Sequence, residues 1–252
     1  MAGSEEIKVI HEDQNTLVIY KPFGVVVNRA ESVSGMTVQD WVESYLKLNL
    51  ADFAGSKEQN IKVFRERSGV CHRLDKETSG CLLIAKNPEA LSYYLKLFKE
   101  RKIKKIYTAL VHGRVEPNEG EVVLPLKRSV FDREKWQVHY EGKRAVTGWS
   151  VNKRFRYDNT THFKNALTLL SLNLKTGRTH QIRVHLSFLG WPIFSDEKYL
   201  NKDILKMDRE KLSHHFLHAG SIAFKAYKGE RIRVECDLPT DCQVLLESLL
   251  LE

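Results

Sequence analysis

Residues 71–80 read CHRLDKETSG and place two cations, two anions, a histidine and two hydroxyl groups directly before an apolar run, CLLIA, at 81–85. The apolar run predicts a short buried strand. Burying so much unpaired charge would cost free energy. A strand also holds reactive side chains more rigidly than a free loop does. The stretch therefore raises the question of why so much charge stands directly before a strand that is expected to be buried.

The composition fits a folded protein with a polyanionic partner. The chain has 252 residues, 42% of them apolar, enough for one large domain or two joined lobes. Lysine and arginine exceed aspartate and glutamate by 40 to 32, which gives a net charge of +8. This surplus favours nucleic acid, although a basic solvated surface alone would also account for it. Dinucleotide-binding and phosphate-loop glycine motifs are absent from the sequence.

The cysteines and the N-terminus predict a cytoplasmic protein. The four cysteines contain no Cys-x-x-Cys pair, so we expect reduced thiols and no zinc ribbon. The N-terminal MAGSEEIKVIHEDQ is acidic and lacks the apolar core of a secretory signal. No uncharged apolar run approaches the ~20 residues that cross a bilayer. We expect no membrane association.

Helical periodicity and capping residues predict three helices. The first covers 37–48, where Thr37 and Asp40 form a capping box. The second covers 87–102, with Asn87 as its cap. The third follows Thr179, which can cap it, and ends near residue 190.

The remaining segments predict strands and loops. Residues 16–28 indicate a strand, a turn and a second strand resuming at Val25, whereas 51–69 are polar and aperiodic and indicate a loop. Further β-type segments lie at 105–113, 120–126, 145–151, 166–174 and 231–239. Without regular βαβ alternation, we predict an α+β fold with a mostly antiparallel or mixed central sheet and flanking helices.

A second dense polar cluster covers residues 174–199, LKTGRTHQIRVHLSFLGWPIFSDEKY. In the helical interpretation Arg178 lies in the preceding turn, while His180 and Arg183 share one face. Donors before a helix N-terminus form a natural anion site. An alternating strand is the weaker interpretation because of the terminators at 190 and 192. Neither His180 nor the other histidines form an HExxH motif, so we expect no metal.

Several separated motifs together resemble the RluA-type pseudouridine synthase family. The resemblance spans about Lys21 to Pro239, nearly the whole chain. Its motifs are KPFGVVV (21–27), HRLDKETSG (72–80), KIYTALVHG (105–113), KRAVT (143–147), TGRTHQIRVHL (176–186) continuing through DEKY (196–199), and FLHAGSIAF (216–224). Two departures stand out: Ser195 replaces the usual glycine, and KAYKG at 225–229 replaces the usual His-Pro.

The resemblance implies a pseudouridine synthase fold and an RNA uridine isomerase without a cofactor. We expect a single catalytic domain over residues 1–252, undivided or in two lobes, without a separate RNA-binding module. Ribosomal and transfer RNA are both open as substrates, and a monomer is expected.

The resemblance also implies roles for individual residues. Asp75 matches the catalytic aspartate, the nucleophile or base at the ribose. Burial raises a carboxylate pKa and a guanidinium lowers it, so Arg183 would keep Asp75 ionised. Tyr107 matches the active-site tyrosine, a proton acceptor or a stacking group. We also predict substrate contacts from Lys21, His72, Arg73, Arg178, Thr179 and His180.

Two other functions remain open from the sequence. A catalytically silent RNA-binding protein on the same scaffold would be expected to lose Asp75, Tyr107 or Arg183, and all three are present. A glycoside or nucleoside hydrolase would need a second carboxylate, for which Glu77 is the near candidate.

Overall fold

The computed structural model describes residues 6–31, 33–53, 56, 58–157 and 165–251. The chain divides into two compact units, Met1–Lys104 with Ser221–Asp237, and Lys105–Gly220 with Leu238–Glu252. Among the described residues, no helix is both long and apolar enough to cross a membrane.

The first unit packs helices against an antiparallel sheet. Strand β2 pairs with β1 on one side and β3 on the other, and β11 pairs with the end of β10. Its core joins β3 to α2 through Phe64 and to α3 through Leu91 and Tyr94. The elements are β1 (Lys8–Glu12), β2 (Thr16–Lys21), α1 (Val38–Tyr45), a short 3-10 helix (Leu50–Phe53), α2 (Gln59–Arg67), β3 (Ser79–Ala85), α3 (Pro88–Lys99), the end of β10 (Leu217–Lys225) and β11 (Arg231–Glu235).

The second unit also has antiparallel strands. Strand β9 pairs with β4 and β8, and β8 pairs in addition with β5 and β12. Strands β6 and β7 form a separate two-stranded hairpin. The elements are β4 (Lys104–His112), β5 (Glu119–Val123), β6 (Leu126–Arg128), β7 (Trp136–Val138), β8 (Val146–Arg156), β9 (Ala166–Leu174), α4 (Gln181–Phe188), α5 (Lys202–Arg209), α6 (Thr240–Glu247) and β12 (Leu250–Leu251).

The predicted caps of the first two helices and the predicted fold class are confirmed. Thr37 and Asp40 form the capping box of α1, and Asn87 accepts a hydrogen bond from Ala90 N at the start of α3. The α+β class with antiparallel strands and flanking helices is also confirmed.

Two predictions are wrong. No strand resumes at Val25, because the carbonyl groups of Val26 and Val27 accept the first amides of α1 instead. The region 51–69 is not all loop, since it contains α2. That helix buries Phe64 completely and packs Val63 against the same core, so a few apolar contacts stabilise a largely polar helix.

Candidate active site

Asp75 lies in a turn that leads directly into a buried strand. The amide of Thr78 donates to the Asp75 carbonyl at 3.1 Å and closes a turn over Lys76 and Glu77. Strand β3 follows at once, and all 7 of its residues are buried. The half-buried Asp75 therefore has a rigid support, as the sequence predicts.

Lys21 is a buried cation that holds this turn. Its Nζ donates to the carbonyl groups of Pro22 at 2.8 Å, Val25 at 2.9 Å and Lys76 at 3.1 Å. Three carbonyl acceptors match the three N–H donors of an ammonium group. Lys21 thus ties the loop after β2 to the residue that follows Asp75.

The environment of Lys21 brings the pKa of its ammonium group close to neutral pH. Burial lowers the pKa of Lys21 to about 7, while the charge of Asp75 raises it. The side chain is 0% exposed. In this structure Nζ is hydrogen-bonded to three carbonyl groups and holds the turn near Asp75, and its predicted contact with substrate stays a prediction.

We expect the stability difference between wild type and Lys21→Met to depend on pH. Between about pH 7 and 10.5 the unfolded chain keeps a proton on Lys21 that the folded chain has lost. The wild type should therefore gain stability relative to the variant as pH rises through this window, by at most about 1.4 kcal/mol per pH unit. Urea unfolding at a series of pH values measures this difference.

The matched control for that measurement is Lys76→Met, which changes an exposed lysine in the same turn. It should show no such trend. A constant difference between wild type and Lys21→Met across the window would contradict the assignment.

His72 and Arg73 precede Asp75 and differ in their surroundings. The amide of Leu83 donates to His72 Nε2 at 3.0 Å, and the His72 ring lies 4.9 Å from the ring of Phe98. An accepting Nε2 carries no proton, so His72 is neutral and helps to hold the loop on β3. Arg73 is exposed. Its predicted contact with RNA stays a prediction.

In the second unit, Arg183 forms a buried two-point ion pair with Asp196. Arg183 Nε and Nη2 each lie 2.7 Å from a carboxylate oxygen, and the side chains are 4% and 0% exposed. Burial opposes ionisation of Asp196, but the hydrogen bonds and charge of Arg183 hold its pKa below the usual value. Asp196 uses two of the five N–H donors of Arg183, so it orients the guanidinium and leaves the others to further acceptors.

Tyr199 connects Arg183 with His180. The Arg183 guanidinium lies over the Tyr199 ring at 5.2 Å. The Tyr199 hydroxyl is 2.9 Å from His180 Nδ1 and accepts the amide of Trp136 at 2.9 Å. His180, predicted as a substrate contact, is thus part of a network that fixes the start of α4.

The predicted N-terminal cap of α4 is wrong. His180 is the N-cap residue, with a left-handed backbone at φ 52°, and no side chain caps the helix. Gln181 organises the turn instead, because its Oε1 accepts from Arg178 N and Thr176 Oγ1. Thr179 is half-buried, and Arg178 is exposed. Their predicted contacts with RNA stay predictions.

Strand β4 places Tyr107 and Lys105 on one face, since alternate residues of a strand point the same way. Tyr107 is buried and lies opposite Leu172 of β9. Burial lowers the pKa of Lys105 to about 8. A Cβ built at Gly177 would lie 3.5 Å from Lys105 Nζ, an ordinary contact distance, so this cation lies beside the 176–180 turn.

Ser195 adopts the backbone conformation that glycine favours, with φ 62°. Its amide donates to Asp208 Oδ2 at 2.7 Å, and its hydroxyl donates to the Leu212 carbonyl at 2.8 Å. These bonds hold a left-handed serine where the family pattern has glycine, directly before Asp196.

Two groups of polar side chains contain residue types that can bind a metal ion. His185 is buried, and its two ring nitrogens are hydrogen-bonded to Thr147 Oγ1 and to the Leu124 carbonyl. His214, Asp241 and Cys242 bring three ligand-type atoms within 4.8 Å of one another. Here His214 Nε2 lies 3.0 Å from Asp241 Oδ2, which makes a hydrogen-bonded pair at the start of α6.

The predicted site residues fall into two sets, one in each unit. Lys21, His72, Arg73 and Asp75 belong to the first, whereas Tyr107 and residues 178–183 belong to the second. The pairing of Asp75 with Arg183 stays a prediction. The sequence places Lys105 in a basic run, 99–105, that complements the end of a helix or faces phosphate, and it assigns no role to Gln181, Asp196 or Tyr199. Asp196 and Tyr199 lie within the DEKY motif, so that motif was the signal that could have found them.

Comparison with known proteins identifies one family. The protein-family model described as RNA pseudouridylate synthase matches residues 15–188 of this chain. An uncharacterised RNA pseudouridine synthase of Bacillus subtilis is 33% identical over 99% of this chain and 75% of its own length. The ribosomal large subunit pseudouridine synthase D of Pseudomonas aeruginosa is 32% identical over 99% of this chain and 73% of its own length. A relative from Aquifex aeolicus, named an uncharacterised RNA pseudouridine synthase, is 37% identical, and the chain spans 56% of its length.

Solved structures show the same fold. Human RNA pseudouridylate synthase domain containing 4 superimposes with a TM-score of 0.70 at 27% identity, over 97% of this chain and 93% of that one. Human RNA pseudouridylate synthase domain containing 1 gives a TM-score of 0.74 at 22% identity, over 100% of this chain and 91% of that one.

Proposed function

Because the chain belongs to the RNA pseudouridylate synthase family, whose enzymes are isomerases acting on RNA, we propose that it converts specific uridines of RNA into pseudouridine. Relatives named for the large ribosomal subunit favour ribosomal RNA as the substrate, with transfer RNA as the second choice. We also propose that it acts as a monomer in the cytoplasm. The net charge of +8 supports a polyanionic substrate.

The observation that carries this proposal is the setting of Asp75. The aspartate stands on a hydrogen-bonded turn before a fully buried strand, and the charge of Lys21 interacts with it. A nearby cation favours the ionised carboxylate. An ionised carboxylate on a rigid support is what attack at a ribose carbon, or removal of a proton there, requires.

The reaction rearranges bonds without gaining or losing atoms. The bond between ribose C1′ and uracil N1 breaks, the base turns, and a bond from C1′ to C5 forms. The proton leaves C5, and N1 gains one. In our proposal Asp75 acts at the sugar, Tyr107 accepts the C5 proton or stacks on the base, and Arg183 keeps Asp75 ionised.

Extruding the target uridine from its stack costs a few kcal/mol, and less in a loop where the base is already unstacked. We propose that Arg73 fills the gap that the uridine leaves, since it is exposed and lies two residues before Asp75.

The test is an isomerase assay on defined RNA. Purified protein is incubated with transcripts of large-subunit ribosomal RNA and, separately, of transfer RNA, and pseudouridine is mapped at each position. Mapping of cellular RNA with and without the gene identifies the natural site. We expect pseudouridine at one or a few positions.

Two outcomes would favour the other functions. RNA binding without any pseudouridine would indicate a silent binding protein. Release of free uracil would indicate a hydrolase.

A further inference from the structure

The β6–β7 hairpin carries a closely built tip, residues 129–135. The amide of Ser129 donates to the Lys135 carbonyl at 2.9 Å and extends the ladder. The Ser129 hydroxyl accepts from the amides of Phe131 and Asp132 at 3.3 Å, and Asp132 Oδ1 accepts from Glu134 N at 2.9 Å. These bonds tie the tip to the hairpin and order much of its backbone without apolar packing.

The apolar side chains of the tip point into solvent. Phe131 is 95% exposed and Val130 is 71% exposed. A phenylalanine ring on an ordered loop keeps a large apolar face in water, which is unfavourable unless a partner covers it. Because the loop is already ordered, a partner that covers the ring has little conformational entropy to overcome.

The charge around the tip is positive. Between residues 126 and 145 each acidic side chain lies against a lysine, in the pairs Asp132–Lys135, Glu134–Lys198 and Glu141–Lys127. Two cations at or beside the tip, Arg128 and Arg133, form no ion pair with a carboxylate in the part of the chain that the structure describes. The same holds for Lys143 and Arg144, which lie at the base of the hairpin, where Lys143 pairs with Leu126. A polyanion is therefore the partner that this surface fits.

The hairpin rests on the helix that carries Arg183. Trp136 of β7 packs with Val184 of α4 and with Tyr199, whose hydroxyl accepts the Trp136 amide at 2.9 Å. The same Tyr199 ring lies against Arg183. Phe131 is three residues past the end of β6, so it reaches at most about 10 Å beyond the ladder.

We propose that Phe131 stacks on an unpaired base flanking the target uridine, while the surrounding cations contact the phosphates on either side. This inference rests on the proposed function, because it takes RNA as the substrate. An aromatic ring among cations is the combination that binds single-stranded RNA, since every base offers a face for stacking and every linkage a phosphate.

The test compares three variants of Phe131 in the full chain. Affinity is measured by fluorescence anisotropy for a labelled oligouridylate and for the large-subunit ribosomal RNA transcript. Phe131→Ala and Phe131→Leu should both weaken binding, by about 5-fold to 100-fold, because leucine keeps apolar surface but cannot stack. Phe131→Trp should bind like the wild type, and its added fluorescence should be quenched by RNA. Melting temperatures should be unchanged.

The matched control is Val130→Ala, which removes exposed apolar surface next to Phe131 without removing a ring. It should stay within about twofold of the wild type. Equal losses from Val130→Ala and Phe131→Ala would overturn stacking.

Other outcomes separate this proposal from the function on which it rests. A wild type that binds RNA but forms no pseudouridine defeats the proposed function, and the variants still decide the role of Phe131. A Phe131→Ala protein that binds and modifies RNA like the wild type overturns stacking alone. A change in oligomeric state by light scattering, with RNA affinity unchanged, would assign Phe131 to a protein interface and overturn the proposal. A wild type that binds no RNA overturns it as well.

Discussion

Asp75→Asn is expected to abolish pseudouridine formation and to leave RNA binding intact. Asparagine has nearly the same shape, and the turn is closed by the backbone of residue 75, so the fold should survive. The amide is a poor nucleophile and a poor base. We expect a loss of at least ~10⁴-fold in turnover, the scale on which removal of a catalytic nucleophile acts. Affinity should persist or rise slightly, because one negative charge near the phosphates is gone.

The measurement is single-turnover isomerisation and equilibrium binding on the same folded variant. Glu77→Gln is the matched control, since it neutralises another acid of the same turn. It should keep near-normal turnover. Retained isomerase activity in Asp75→Asn would end the proposed mechanism, and an equal loss in Glu77→Gln would point to paired carboxylates, as in a hydrolase.

The second large effect is expected from Arg183→Lys. Lysine keeps the charge but cannot form the two-point pair with Asp196. Asp196 Oδ2 accepts from Arg183 Nε at 2.7 Å, and this buried oxygen would lose that donor. We expect a loss of about 1–3 kcal/mol in the free energy of unfolding and a fall in turnover of about 100-fold. Turnover should fall because the pair with Asp196 no longer fixes the orientation of the cation. RNA affinity should change little.

Two further variants divide the roles of Arg183. Arg114→Lys makes the same change at an exposed arginine of the same unit and should leave turnover and stability near normal. Asp196→Asn keeps the Arg183 charge but loses one acceptor of the pair, so it should lower turnover if orientation matters. If Arg183→Lys weakens RNA binding as much as it slows turnover, Arg183 is a binding residue and its proposed support of Asp75 fails.

The parts of the fold that depend on neighbouring residues could be predicted from the sequence. The cap of α1 is made by residues three apart, and that of α3 by Asn87 with Ala90. Strand β9 follows its apolar run, residues 166–174, from end to end. In each case the information is local, so the pattern was sufficient.

The errors lie where distant contacts decide the structure. Helix α2 is largely polar and buries only Phe64 completely, and that ring packs against residues elsewhere in the chain. The segment after Gly24 has the apolar pattern of a strand, but its carbonyl groups are used by α1. At α4 a left-handed His180 replaced the expected threonine cap, because Gln181 already accepts the donors of the turn.

The candidate site divides in the same way. Asp75, Tyr107 and Arg183 follow from motifs that can be read in order along the chain. Asp196 has a role only through its contact with Arg183, and Lys105 only through its burial near Gly177. Three-dimensional contacts of this kind leave no periodic pattern in a single sequence. The position of Lys21 was predicted, but its hydrogen bonds to three carbonyl groups were not.

The left-handed Ser195 has an evolutionary consequence. Glycine tolerates this backbone unaided, whereas serine here is held by Asp208 and the Leu212 carbonyl, both at or just beyond the end of α5. Glycine would present the same amide to Asp208, so the bond that serine adds is the one from its hydroxyl to the Leu212 carbonyl. A descendant that returned to glycine would lose that one bond and relieve the backbone strain next to the ion pair of Arg183.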